Sequence, residues 1–349
     1  MLEAMDLVGN PSSVHAEGRV AKALIEKARS QVARLVGCEP GEVVFTSGAT
    51  EAISLAMSQP AFEVVRVVAT DHDSMLTGAS VTAFEVNSNG QLRNRTLWEH
   101  RGAHEPLGLF GYGAANSETG VLLQEQWIQD VAAECSAKIL CDAVQIVGKA
   151  PFNFLSERCH LAAVSGHKLG SAKGVGALIV AAEFDLAAHL RGGGQEMGRR
   201  SGTENVMGIA GFGAAAEAAL RDLEDGVWER VEKLRNILED ALASASSETI
   251  FVGKDTGRLP NTSCFMTPGW KGEMQVMQMD LAGFAVSAGS ACSSGKVKAS
   301  RVLGAMGFDE VAAASAIRVS LGPTTTEDDV LRFAEAWMKQ EQKFRRKAA

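Results

Sequence analysis

The chain predicts an α/β fold: a largely parallel sheet with helices on both faces, followed by a smaller C-terminal α/β domain. Three observations carry this. Short, continuously apolar runs at 42–46, 64–69, 107–112, 138–141, 161–164 and 175–181 are separated in several places by helical stretches, the pattern of strands buried on both faces. Glycine contributes 36 of 349 residues, above the usual share of about 7%, and clusters where the apolar runs end. Apolar residues make up 46% and charged residues 22% of the chain, which excludes a disordered protein and supplies a large core.

In chain order, residues 14–36 read as an amphipathic helix, with Val20, Leu24, Ala28, Val32 and Leu35 recurring at three- and four-residue spacing. Glu39-Pro40-Gly41 breaks it. EVVFT (42–46) is a strand, Ser47-Gly48 a turn and 49–57 a helix. The later strands have helices between several of them, such as 125–135. A long helical region at 203–245 precedes a looser pattern, with strands at 249–252, 262–266, 284–287 and 315–320 and helices at 271–281, 299–306 and 326–345. The boundary is expected inside the long helix, giving a large domain at 10–240 and a small one from 1–9 and 241–349. The basic stretch 343–347 reads as a solvated helix end.

Several classes are excluded. The glycines have no fixed period, so the chain is not collagen-like. Its apolar runs are too short to span a bilayer, and no basic-then-apolar leader opens it. A net charge of −8 gives no electrostatic reason to expect nucleic acid. Six cysteines are too few for a disulfide scaffold, which points to reduced thiols and a cytoplasmic protein.

Four segments carry residues suited to chemistry. Val43 to Glu51 is strand, small-residue turn, then helix start, where unpaired amides and the dipole suit a phosphate; capping by Thr50 or Ser47 is the plainer reading. Lys138 to Gln145 places Asp142 at the carboxyl end of a strand, where open α/β sheets put ligand contacts. Asp142 suits either a protonated heterocycle or a helix cap. Leu161 to Gly170 puts Lys168 in a Gly-flanked turn after a strand, as a Schiff-base lysine or a surface one. Val286 to Gly295 sets Cys292 among small residues with Lys296 and Lys298 following, an environment that favours thiolate. Cys38, Cys135, Cys141, Cys159 and Cys264 read as packing residues without zinc spacing.

The order of these segments resembles the class V aminotransferases, and within them the cysteine desulfurases. The resembling stretches are Gly9 to His15, Thr46 to Glu51, Asp71-His72, Asn116 to Gly120, Asp142 to Gly148, Ser165 to Lys168, Arg199 to Thr203, Ser287 to Ser294 and Ile317 to Gly322. The resemblance implies a fold-type I pyridoxal 5'-phosphate enzyme with a mostly parallel seven-stranded sheet. It implies that Lys168 holds the cofactor as a Schiff base and moves the substrate α-proton, and that Asp142 faces the pyridine nitrogen. Gln145 would bond the ring hydroxyl, and His72 would stack on the ring and take part in proton transfer. Ala49, Thr50, Ser165 and His167 would hold the phosphate. Thr203 would reach the phosphate of a neighbouring subunit, implying a homodimer. Arg318 would clamp the substrate carboxylate, with Asn116 touching cofactor or substrate.

Cys292 would take sulfur from L-cysteine as a persulfide, leaving L-alanine, and pass it to an acceptor or iron–sulfur scaffold protein in iron–sulfur assembly or tRNA thiolation. No metal is implied beyond a transient iron–sulfur contact at Cys292. The sequence begins after the Asp-x-Ala-Thr-Thr strand with which the family usually opens, and Asn116-Ser117 stands where many relatives have two Asn. A selenocysteine lyase or another class V enzyme is the alternative within the fold; a non-catalytic sulfur-relay or scaffold-binding protein is the alternative outside it.

Overall fold

Two helices open the chain, α1 (Leu2–Met5) and α2 (Ala16–Val36), the second started by the His15 ring, which accepts the Gly18 amide. Gly37 ends α2 at φ 69°, a left-handed cap that glycine adopts without a Cβ penalty. The buried stripe of α2 runs through Ala21, Ile25, Ala28, Val32 and Leu35. Val20, expected on that stripe, faces outward. The computed structural model describes residues 1–80, 84–93, 108–124, 126–128, 137–289 and 299–348.

Six strands form the main sheet among the described residues: β1 (Val43–Thr46), β2 (Val64–Arg66), β3 (Gly108–Gly113), β4 (Lys138–Asp142), β5 (Leu161–Ser165) and β6 (Gly176–Val180), in the order β1-β6-β5-β4-β3-β2. β2 to β5 are parallel, while β6 runs antiparallel to both neighbours. Beyond β2 the run 64–69 continues only as a single parallel bridge, Val68 to Phe84, in place of a seventh named strand. The register pairs Gly176 with both Thr46 and Ser165, Asp142 with Ala163, and Gly113 with Asp142. The carboxyl ends of β1, β5, β4 and β3 therefore share one edge of the sheet. Helices α3 (Ala49–Met57) and α4 (Asp73–Leu76) follow β1 and β2. Ile53, Leu55 and Met75 pack with Leu109, Leu140, Leu161 and Leu178 of the sheet in one fully buried cluster; truncating such a side chain to Ala costs about 2–5 kcal/mol.

The expected helix at 203–245 is two helices, α5 (Val206–Glu224) and α6 (Val227–Ala245). Gly226 between them lies at φ 70°, outside helical backbone. The break coincides with the division of the chain into two units, Met1–Phe84 with Asn94–Ala114 and Glu125–Asp225, and Glu85–Arg93 with Ala115–Gln124 and Gly226–Ala349. The division at 225/226 replaces the one expected at 240/241. Residues 1–9 belong to the first unit, where Met1 lies against Gly211 of α5. Segments 85–93 and 115–124 join the second unit, where Gln91 bonds Leu122 and Thr256.

The second unit contains the antiparallel sheet β7 (Ile250–Phe251), β8 (Thr262–Met266) and β9 (Ala316–Ser320), with helices α7 (Gly272–Leu281), α8 (Arg301–Ala305), α9 (Glu310–Ala314) and α10 (Glu327–Ala348). The strand expected at 284–287 is a single bridge, Ser287 to Arg318. Trp337 and Phe265, both fully buried, meet edge to face at 5.6 Å in the core of this unit.

Candidate active site

The carboxyl edge of the first unit's sheet gathers most of the residues singled out above. β1 ends in the turn Ser47-Gly48 and α3 begins at Ala49. Gly48 is the N-cap without a side-chain bond, so neither Ser47 nor Thr50 caps; Glu51 does, accepting the Ser47 amide at 2.7 Å. Ala49 is half-buried and Thr50 exposed. Gly176 explains how β6 fits beside this turn: a Cβ there would lie 2.7 Å from the Val164 carbonyl oxygen and 2.8 Å from Gly48.

At the end of β5, Ser165 is buried, and a short 3-10 turn (Gly166–Leu169) exposes His167 and Lys168. At the end of β4, half-buried Asp142 accepts the Val144 amide at 3.1 Å, so the capping reading is present. Burial pushes its carboxyl above the usual range, opposed by that amide and by the charges of His72 and Lys168. Asp142, His72 and Lys168 thus act on one another electrostatically. Gln145 lies in the turn after Asp142, its carbonyl accepting Lys149 Nζ at 2.8 Å. Partial burial lowers the His167 pKa, helped by the positive charges of Lys168, Lys173 and Lys149; a neutral imidazole among three ammonium groups is an anion-receptive surface.

His72 is exposed at the start of α4, its Nδ1 accepting the Ser74 amide at 3.1 Å and lying 2.8 Å from Ser74 Oγ. The segment carrying it is tied down by buried Asp71, whose two oxygens accept the Val68 and Gly113 amides at 2.8 Å each. Thr203 is exposed on the loop before α5. That loop is pinned by a buried ion pair: Arg29 Nη1 and Nη2 donate to Glu196 at 2.7 and 3.0 Å, and Glu196 also accepts the Phe45 amide of β1 at 2.9 Å.

Asn116 and Arg318 belong to the second unit. Asn116 Oδ1 accepts the amides of Glu118 and Thr119 at 2.9 Å, folding 116–121 into a tight turn. Arg318 Nη1 donates to the Ser117 carbonyl at 2.6 Å and Nη2 to Ser287 Oγ at 3.1 Å. Its Nε is buried with no partner among the described residues. Ser300 Oγ donates to Glu118 at 2.5 Å and caps α8. Cys292 lies outside the described residues, as does Cys135. The described cysteines, Cys38, Cys141, Cys159 and Cys264, are free; burial pushes the Cys38 and Cys264 thiols up to about 12.

Sequence reading left Asp71, Arg29, Glu196, Glu51 and Arg200 without roles. A charge on the apolar face of α2 was the available sign for Arg29. Nothing local indicates its partner, 167 residues away.

Residues 2–333 match the family model described as Aminotransferase class-V. The chain is 36% identical over 343 residues to the cysteine desulfurase of Nostoc sp., covering 95% of this chain and 85% of that one. Its structure is similar to that of the NifS-like protein of Rickettsia africae, with a TM-score of 0.89 at 32% identity over 98% of this chain and 94% of that one. It is also similar to SspA solved in complex with cysteine, with a TM-score of 0.76 at 26% identity over 93% and 95% of the two chains. With its turn at Thr46 to Glu51, Asp142 and Lys168 on one sheet edge, the chain belongs to the class V aminotransferase family and, within it, to the cysteine desulfurases.

Proposed function

We propose that the protein uses pyridoxal 5'-phosphate to remove sulfur from L-cysteine, leaving L-alanine and a persulfide on Cys292. The observation that carries this reading is the convergence of Lys168, Asp142 and His72 on the sheet edge that also bears the open turn before α3. Those residues fit the cofactor. A side chain at Gly48 would meet nothing within 4 Å, so the start of α3 is open to a phosphate. The ammonium groups around His167 favour an anion, and Asp142 offers a carboxylate to a protonated ring nitrogen. When bound, the cofactor supplies an electron sink for the bond breaking at the substrate carbons.

The chain's own residues do the rest. Lys168 supplies the amine that holds the cofactor and, once displaced, moves the α-proton at Nζ. Asp142 keeps negative charge beside the ring nitrogen, and Gln145 bonds the ring hydroxyl. Ala49, Thr50, Ser165 and His167 hold the phosphate. Because His72 Nδ1 accepts the Ser74 amide, the neutral ring carries its proton on Nε2, the atom free to face the cofactor. Asn116 lies against cofactor or substrate. Arg318, oriented by Ser117 and Ser287, takes the substrate carboxylate, a task suited to a planar guanidinium. The Cys292 thiolate then forms an S–S bond as the substrate C–S bond breaks. The electron pair stays with the carbon fragment, which is protonated and leaves as L-alanine.

Thr203 completes the phosphate site of a second copy in a homodimer. Exposed Leu2, Val8, Val14, Met197 and Met207 of the first unit support such an interface. The acceptor of the sulfur is a scaffold protein of iron–sulfur assembly or a tRNA-thiolation protein. The test is to supply L-cysteine and a thiol reductant to the cofactor-loaded protein. Equal amounts of sulfide and alanine are expected; alanine without sulfide, or neither product, would sink the reading.

A further inference from the structure

The first turn of α3 contains a charge that opposes the anion proposed to bind there. Glu51 is the third residue of α3, and its carboxylate reaches back to the Ser47 amide at 2.7 Å. A carboxylate in this position satisfies the helix dipole and so competes with a phosphate for the same positive end. It also repels a dianion held one turn away.

Arg200 answers this charge. Its Nε donates to Glu51 Oε1 at 2.8 Å and its Nη2 to Oε2 at 3.4 Å, and both side chains are only 21% exposed. The fork is held from behind. Arg29 grips Glu196, Arg199 Nη2 donates to the Gly41 carbonyl at 2.7 Å, and the Ser201 amide donates to the Leu190 carbonyl at 3.0 Å. A guanidinium so placed presents two donors to the carboxylate without free rotation.

We propose that Arg200 is a positioning residue that neutralises Glu51 at the N-terminus of α3, leaving the turn Ser47 to Thr50 receptive to the cofactor phosphate. The proposal rests on the cofactor reading above. It assigns Arg200 no contact with the cofactor. Consistent with the pairing, the Glu51 carboxyl is held below its ordinary range, because the bonds from Arg200 and Ser47 outweigh the burial that would raise it.

The test is titration of cofactor-stripped protein with pyridoxal 5'-phosphate and, separately, with pyridoxal, which lacks the phosphate. Arg200→Ala is expected to weaken pyridoxal 5'-phosphate binding about tenfold and pyridoxal binding by less than about twofold. Adding Glu51→Gln to Arg200→Ala is expected to restore most of the loss, because the repelling charge is gone. Glu51→Gln alone is expected to bind the phosphate at least as tightly as wild type, and this variant decides the matter should Arg200→Ala fail to fold. A double variant as weak as Arg200→Ala, equal losses for both ligands, or weaker binding by Glu51→Gln would overturn the proposal. A wild type that takes up no pyridoxal 5'-phosphate overturns the cofactor reading, and this one with it.

Discussion

Arg318 and Ser287 exchange backbone hydrogen bonds at 3.1 and 2.7 Å, and the Arg318 guanidinium closes on Ser287 Oγ at 3.1 Å. One side chain is thereby fixed at both its root and its tip. Arg318→Lys is expected to remove the fork while keeping the charge. The loss of charged hydrogen bonds worth about 2–3 kcal/mol should lower kcat/KM for L-cysteine roughly 30- to 150-fold. Bound cofactor should stay at the wild-type level. Unchanged kinetics would remove Arg318 from substrate binding.

Lys168 stands in the exposed turn after β5. Lys168→Ala is expected to abolish the yellow colour of the protein loaded with pyridoxal 5'-phosphate and to abolish desulfuration. Near-ultraviolet and visible absorbance of the purified variant checks it. Retained wild-type colour would put the reactive amine elsewhere.

Cys292→Ala is expected to keep the cofactor spectrum while releasing neither sulfide nor alanine from L-cysteine in repeated turnovers. Mass spectrometry of the wild type after cysteine addition should find one extra sulfur, about 32 Da, on the peptide containing Cys292. Full activity of Cys292→Ala would rule it out as the persulfide carrier.

In the second unit, Arg258 grips Glu239 through both oxygens at 2.7 and 2.9 Å, and Ser263 Oγ donates to the same carboxylate at 2.7 Å. Burial alone would raise the Glu239 pKa, but these bonds outweigh it and hold the carboxyl below its ordinary 4.5. The unfolded chain therefore binds this proton first as the pH falls. The pair's stabilisation is complete above about pH 4.5 and is lost as the pH drops through the lower folded value. Glu239→Gln is expected to cost about 3 kcal/mol at pH 7, because it strands a buried guanidinium. It should also flatten the decline in stability below pH 4.5. Urea unfolding across that pH range checks both; an unchanged acid limb would show that Glu239 titrates alike in both states.

The parts of the fold that are local in sequence were legible. Val43–Thr46, Lys138–Asp142 and Leu161–Ser165 are uniform apolar runs, and the turns after them hold the reactive side chains within a few residues. The reversed direction of β6 was not legible, because an apolar run has no orientation. Gly226 was hidden in a region whose composition favours helix throughout. The Arg29–Glu196 and Arg200–Glu51 pairs join residues 167 and 149 positions apart, and nothing in either neighbourhood specifies the other. In the site, residue types and spacing pointed to Lys168 and Asp142. Asp71 drew no role because its work is to accept two backbone amides, for which an Asp in a loop bears no distinguishing mark.

The Ser287–Arg318 bridge sets a radius as well as an orientation. Gly289 follows it two residues later and Cys292 three residues after that. Three residues span at most about 11 Å. The sulfur-bearing atom is therefore leashed to a fixed post, however the intervening chain runs. An acceptor has to bring its own thiol or cluster ligand inside that short circle. Delivery then depends on two proteins meeting face to face, and a carrier that approaches from any other side finds nothing to collect.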